Sequence, residues 1–314
     1  MARMDSIGRR GFIRQAALGA GAGLLAGHAR PAAGAEPPER TGTPHMKLSL
    51  AAYSFNRMLP RRADAEELAK AKMRLEDFVQ FCADLNLDGC EPTSYYFPKE
   101  VTHDYLMALK EQTFRLGLDI SGTAIGNDFC IPPGRARDKQ LADTREWIDH
   151  AATMGAPVIR IFAGKIHGDM PEDEALDLCV AGINESLEYA ATRGVFLALE
   201  NHGGITAAAD QLLAIVERVQ PSPWFGVNFD SGNFHSKDPY AELARIAPYT
   251  VNAQIKVMVQ RAGQAKEPAD FARIIGILKD AGYRGYVVLE YEAPADPFKA
   301  IPGHIETLRK LVRG

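Results

Sequence analysis

Glycine-rich phosphate turns, closely spaced cysteines and long apolar stretches are all missing from this 314-residue chain, and each absence closes off a class of function. The four cysteines, Cys82, Cys90, Cys130 and Cys179, are scattered without C-x-x-C spacing. The four read as buried free thiols, with a disulfide between an unspecified pair as the alternative in an exported protein. None precedes Cys82, so a lipid-anchored form is not expected. No glycine-rich turn follows the first strand-like segment, so an open doubly wound sheet lacks its dinucleotide cradle. Beyond the first 35 residues nothing approaches the roughly 20 apolar residues that a membrane-spanning helix needs. Basic stripes are absent too. Residues 1–35 hold five arginines against Asp5 alone, so the rest of the chain carries a net −8 where the whole carries −4. A body this acidic argues against a nucleic-acid partner.

What is present begins with an export signal. Arg9-Arg10-Gly11-Phe12-Ile13-Arg14 is followed by a small-residue apolar run, Ala16 to Gly27, and then by Ala33-Gly34-Ala35, a cleavage-site pattern. Residues 1–35 are therefore expected to be a twin-arginine signal peptide, which predicts a periplasmic or secreted protein with no membrane attachment after cleavage. Residues 36–46 are polar and contain proline and glycine, as a disordered linker does.

From residue 47 to 314 the chain alternates strand-like and helix-like segments. Strands are expected to start near 48, 87, 119, 158, 195, 224, 252 and 285, the first over Leu48 to Phe55 and the third over Asp119 to Ile125. Helices with i, i+3, i+4 spacing lie between them, for example Leu75 to Leu85, Asp138 to Met154 and Glu172 to Arg193, the last closed by Gly194. Eight such units at intervals of about 28–40 residues predict an α/β fold, a single-domain (β/α)8 TIM barrel.

The last four strands share a pattern. Val195-Phe196-Leu197-Ala198-Leu199 runs into Glu200, Trp224-Phe225-Gly226-Val227-Asn228-Phe229 into Asp230, and Tyr286-Val287-Val288-Leu289 into Glu290; Asn252-Ala253-Gln254-Ile255-Lys256 also ends in polar groups. The carboxyl ends of barrel strands converge on one face, where such barrels place their active sites. Side chains two apart share a face of a strand, so Glu200, Asp230, Gln254 and Glu290 all point inward. Hard oxygen donors of this kind favour Mn2+ or Mg2+, with Co2+ and Zn2+ as lesser candidates. Without a cation three carboxylates in one site repel each other. The competing reading is a set of separate salt bridges to Arg160, Lys165 and Lys256.

The segments Leu199-Glu200-Asn201-His202, Asn228-Phe229-Asp230-Ser231-Gly232-Asn233, Gln254-Ile255-Lys256 and Leu289-Glu290-Tyr291-Glu292 resemble those of the xylose isomerase-like barrels, which include ketose 3-epimerases and sugar phosphate isomerases/epimerases. The resemblance implies one divalent metal on Glu200, Asp230, Gln254 and Glu290, with the two glutamates exchanging a proton next to a sugar carbonyl through an ene-diolate. It departs from the family at Gln254, where the usual ligand is His, and at Asn233, where many epimerases carry a substrate-binding His. Lys256 and His202 complete the expected catalytic set, Lys256 as a charge partner and His202 as a donor to a substrate oxygen. Tyr53, Glu91, Tyr96, Asn127, Arg160 and Asn233 are the candidate substrate contacts. The implied partner is a small-molecule carbohydrate, with homo-oligomerisation left open. Two other activities use the same equipment: β-elimination or hydration on a 3-keto-glycoside or keto-sugar, and sugar binding without turnover.

Overall fold

The computed structural model describes residues 34–313; the expected signal segment lies outside them except for its last two residues. The strands form one parallel sheet wound into a barrel. Its staves are β1 (His45–Ala51), β2 (Gly89–Glu91), β3 in two pieces (Asp119–Ile120 and Thr123–Ala124), β4 (Val158–Ile161), β5 (Phe196–Glu200), β6 (Phe225–Asp230), β7 (Thr250–Lys256) and β8 (Arg284–Glu290). β1 pairs with both β8 and β2. The first piece of β3 pairs with β2 and the second with β4, so the wall closes through a stave that changes neighbour midway. The expected unbroken third strand is corrected by this break at Ser121-Gly122.

Nine helices lie among the described residues: α1 (Ala65–Lys70), α2 (Leu75–Asp84), α3 (His103–Arg115), α4 (Arg135–Met154), α5 (Glu172–Arg193), α6 (Ala209–Val216), α7 (Pro239–Ile246), α8 (Phe271–Asp280) and α9 (Pro297–Arg313). α5 ends at Gly194, whose φ of 69° is the left-handed conformation that glycine adopts without a steric penalty. Elements not expected include the short helix α1, started by a reciprocal cap between Asp64 and Glu67, an antiparallel hairpin of Met258–Gln260 with Lys266–Pro268 directly after β7, and a 3-10 turn over Ala52–Phe55, where the first strand was expected to run on from Leu48 to Phe55 but ends at Ala51. No helix among the described residues is long and apolar enough to cross a membrane.

The apolar core sits between strands and helices. Leu197, Leu199, Val227, Phe229, Ile255 and Leu289 are fully buried on the outward side of the sheet, each contributing about 1.5–3 kcal/mol by leaving water. The inward side of the same strands is polar. The four cysteines are buried free thiols.

The amino-terminal lead differs from the expected disordered linker of 36–46. β1 already begins at His45, and 36–44 have no regular structure. Arg40 nevertheless donates to the carbonyls of Pro248 (3.3 Å), Ala281 (3.1 Å) and Thr250, at the amino-terminal end of β7. One side chain thus ties the lead to the barrel face opposite the strand tips.

Candidate active site

Register brings the polar residues together. Glu200 pairs across the sheet with Asn228, Asn228 with Asn252, Asp230 with Gln254, Gln254 with Val288, and Lys256 with Glu290. A register irregularity between Val227 and Asn228 adjusts this half of the sheet. Residues that end successive strands therefore stand side by side at the carboxyl mouth of the barrel.

Lys256 is at the centre. Its ammonium lies 2.9 Å from Glu292 Oε2, 3.3 Å from Asp230 Oδ2 and 3.8 Å from Glu290 Oε1, and it donates to Asn233 Oδ1 at 3.0 Å. Burial alone disfavours that charge, but Asp230, Glu290, Glu292 and Glu200 raise its pKa well above the ordinary lysine value, so the ammonium stays charged. Its backbone N–H donates to Ser231 Oγ at 2.8 Å. The turn after β6 hugs the lysine stem: a Cβ at Gly232 would stand 2.9 Å from Lys256 Cβ and Cδ, so only glycine fits there.

Glu200 has a separate set of partners. Arg160 Nε stands 2.8 Å from its Oε2 as a close ion pair whose N–H is not aligned as a hydrogen bond. Asn228 Nδ2 donates to Oε2 and Asn233 Nδ2 to Oε1, both at 3.0 Å. Burial pushes the Glu200 carboxyl up to about 7, with Arg160 opposing and Asp230 adding to the rise. Burial likewise raises Asp230 and, further, Glu290, each restrained by Lys256. Asn233 bridges the Glu200 group and the Lys256 group, so these residues form one cluster.

His202 sits on the rim with its ring against Phe162, centroids 4.1 Å apart. Although the residue stays exposed, desolvation together with Arg160 and Lys256 pulls its pKa down to about 4. At neutral pH it is a neutral imidazole, able to donate or accept a hydrogen bond. Tyr53 stands at the same rim, half-buried, with its hydroxyl held protonated by burial and by Glu292 and Glu290.

Three expected substrate contacts are engaged elsewhere, and Gln254 has less to offer than expected. Asn127 was a candidate substrate contact, but its amide is committed to backbone: it donates to the Phe162 carbonyl at 2.7 Å and accepts from the Phe162 N–H at 2.8 Å. It extends the sheet edge just as Asn201 does against both backbone groups of Asp230. Glu91 does not face the mouth. It is fully buried below it and accepts from Asn252 and Gln254. Tyr96 is 1% exposed and belongs to the core, although its hydroxyl is without a hydrogen-bond partner among the described residues. Gln254 does not extend a free amide into the mouth. Its Nε2 donates to Glu91 at 2.5 Å and its Oε1 accepts from Asn228 at 2.7 Å, which leaves that oxygen one lone pair.

Three participants escaped the sequence reading: Asn228, Asn252 and Glu292. The signal was there, since each stands two residues from Asp230, Gln254 or Glu290 and so shares its face. Beside the cluster, toward α4, a hollow of about 350 Å³ is lined by Arg62, Tyr95, Asn127, Gln140 and Trp147 among others. Glu200, Asp230 and Glu290 do not line it.

A divalent cation fits part of this donor set. Among the described residues, Glu91, Glu200, Asp230, Glu290 and Glu292 face only two close cations, Arg160 and Lys256. Asp230 Oδ2 is buried with no aligned hydrogen bond among the described residues, and the Lys256 ammonium at 3.3 Å is its close partner; a carboxylate oxygen held only by an ion pair is of the kind a hard cation binds. Glu200, Asp230 and Glu290 would supply the carboxylates to such a cation, with the remaining lone pair of Gln254 as the weaker fourth donor. No three His, Cys, Asp or Glu among the described residues already stand as a ready-made metal cage; the acidic groups instead surround the Lys256 ammonium.

Residues 79–311 match the family model described as xylose isomerase-like TIM barrel. No curated protein matches the chain. Among solved structures, D-psicose 3-epimerase from Clostridium cellulolyticum H10 is similar with a TM-score of 0.67 at 15% identity, over 85% of this chain and 99% of that one. A xylose isomerase-like TIM barrel protein from Mycobacterium smegmatis, in complex with magnesium, gives 0.66 at 17% over 85% and 96%. The 3-keto-D-glucoside 4-epimerase of E. coli gives 0.64 at 16% over 84% and 99%. At such identities the likeness is one of fold.

Proposed function

Because the chain belongs to the xylose isomerase-like TIM barrel family, we propose that it is a divalent-metal-dependent carbohydrate isomerase or epimerase, moving a proton next to a sugar carbonyl through an ene-diolate. The observation that carries this reading is the meeting of Glu200, Asp230 and Glu290, all under a tenth exposed, in one cluster at the barrel mouth: Asp230 and Glu290 stand around the Lys256 ammonium, and Asn233 joins that ammonium to Glu200.

Glu200 and Glu290 are the proton-transferring pair, one removing the proton and the other returning it. Arg160 and Asn228 hold Glu200 in place. Lys256 balances the charge of Asp230 and Glu290 and offers a positive centre to an oxygen that gains negative charge. His202, neutral, hydrogen-bonds a sugar hydroxyl at the rim, and Tyr53 with Tyr95 forms an aromatic wall for the sugar's C–H face. Mn2+ or Mg2+, held by Glu200, Asp230 and Glu290 with Gln254, would supply Lewis-acid stabilisation of the developing enolate charge.

A second reading, elimination or hydration on a 3-keto-glycoside, draws on the hollow beside Tyr95, where the second unit of a substrate larger than a free ketose would reach. Incubation with ketoses and keto-glycosides in D2O, with Mn2+ or Mg2+ added, tests both. Deuterium at a single carbon with inversion or carbonyl migration is the expected result. Loss of a leaving group moves the assignment to the second reading, and no exchange on any member of the panel overturns both.

A further inference from the structure

Beneath the mouth lies a closed ring of four side chains that substrate does not reach: Glu91, Gln254, Asn228 and Asn252, each at most 2% exposed. Gln254 Nε2 donates to Glu91 Oε1 (2.5 Å), Asn252 Nδ2 donates to Glu91 Oε2 (2.8 Å) and to Asn228 Oδ1 (2.9 Å), and Asn228 Nδ2 donates to Gln254 Oε1 (2.7 Å). The same Asn228 nitrogen also donates to Glu200 Oε2.

Three members of the ring are amides, and an amide can be turned end for end; one is not. An amide carries both donors and an acceptor, whereas a carboxylate only accepts. With Glu91 accepting at both oxygens, Gln254 and Asn252 must each turn nitrogen toward it. Gln254 then turns oxygen to Asn228, so Asn228 must answer with nitrogen, and that nitrogen reaches Glu200. If the ring ran the other way, Gln254 would present oxygen to Glu91 and Asn228 would present oxygen to Glu200, two acceptors facing each other in a buried place where unsatisfied groups are costly.

We propose that Glu91 is a positioning residue: the one acceptor-only member of this ring sets the sense of all three amides and so delivers an N–H, not an oxygen, to Glu200. The inference rests on the reading of Glu200 as a working carboxylate.

The isosteric change Glu91→Gln tests it, because glutamine has one acceptor end where Glu91 has two: its nitrogen must face either Gln254 Nε2 or Asn252 Nδ2, and the amide it faces has to turn. Full-length protein labelled with 15N is the sample, and Mn2+ alone is the probe of the mouth. In the wild type, Asn228, Asn252 and Gln254 each show a single set of side-chain amide signals. In Glu91→Gln the Asn228 signals move or double, the thermal midpoint stays close to wild type, and Mn2+ affinity falls about 10-fold, the scale seen when a partner behind a ligand is lost. Asn252→Ala is the counterpart. It opens a cavity but leaves Gln254 and Asn228 directed by Glu91, so it lowers the midpoint more and Mn2+ affinity less. Two sets of signals in the wild type, unchanged Asn228 signals in Glu91→Gln, or an Asn252→Ala loss of affinity as large as that of Glu91→Gln would overturn the proposal. The wild-type signals answer even if Glu91→Gln fails to fold, and the amide signals answer even if no ketose exchanges deuterium.

Discussion

The two halves of the barrel are built differently. From β5 to β8 the strands run five to seven residues, pair in long registers and end in three carboxylates and, at β7, an ammonium. From β2 to β4 they are short or broken, and their ends carry Tyr95 and Tyr96, with Tyr53 alongside from β1. The long strands hold charge where it must be held to a fraction of an ångström. The short ones leave loops free to form the hollow and its aromatic edge. Rigid elements position and loops shape, a division that TIM barrels permit because strand ends and loops share one face.

The division can be broken most sharply at its centre. Lys256→Met removes the ammonium that stands among Asp230, Glu290 and Glu292, and a buried charge cluster that loses one partner is expected to cost about 3–5 kcal/mol. Urea unfolding measures this, and added Mn2+ should recover part of the loss. A variant as stable as wild type would mean that the carboxylates do not depend on that charge.

Glu200→Gln and Glu290→Gln leave the shape intact and should lower proton exchange on a responding ketose by about 100-fold or more, with circular dichroism unchanged. Tyr95→Phe, on the other half, should change it only slightly. An equal loss in Tyr95→Phe would erase the distinction between the two halves. Leu199→Ala, facing the helices directly before Glu200, should cost about 3 kcal/mol in a thermal or urea melt. Asn127→Ala should cost about 1–3 kcal/mol by leaving the Phe162 backbone groups unpaired, while sugar affinity holds; a selective loss of affinity at full stability would restore Asn127 as a substrate contact. Lys139→Ala, which breaks an exposed pair with Asp143 along α4 at the wall of the hollow, should leave the melting curve where it was.

How much of this was legible in advance follows from what period-2 alternation encodes. The repeat of apolar strand and acidic tip named Glu200, Asp230 and Glu290, because a carboxylate buried at a strand end is too costly to keep unless it is paired or serves a site. Asn228 and Asn252 were equally in phase, yet an inward asparagine carries no charge to draw attention to it. Asn127 misleads for the opposite reason: polar and near a strand tip, it looks like a ligand, while its amide pairs with the Phe162 backbone. The break in β3 was hidden because both of its pieces look like strand, and only their different neighbours separate them.

Composition and periodicity by themselves determined the closed α/β architecture, the inward set of charges and the face on which they gather, since these follow from hydrophobic burial and from the two-residue repeat of a strand. Tertiary structure alone decided the partnerships. That Lys256 gathers Asp230, Glu290 and Glu292, that Arg160 takes Glu200, and that Gln254 turns its amide to Glu91 are matters of register between strands far apart in the chain. Hydrogen bonds and ion pairs depend on ångström distances, and no local pattern of residues specifies those.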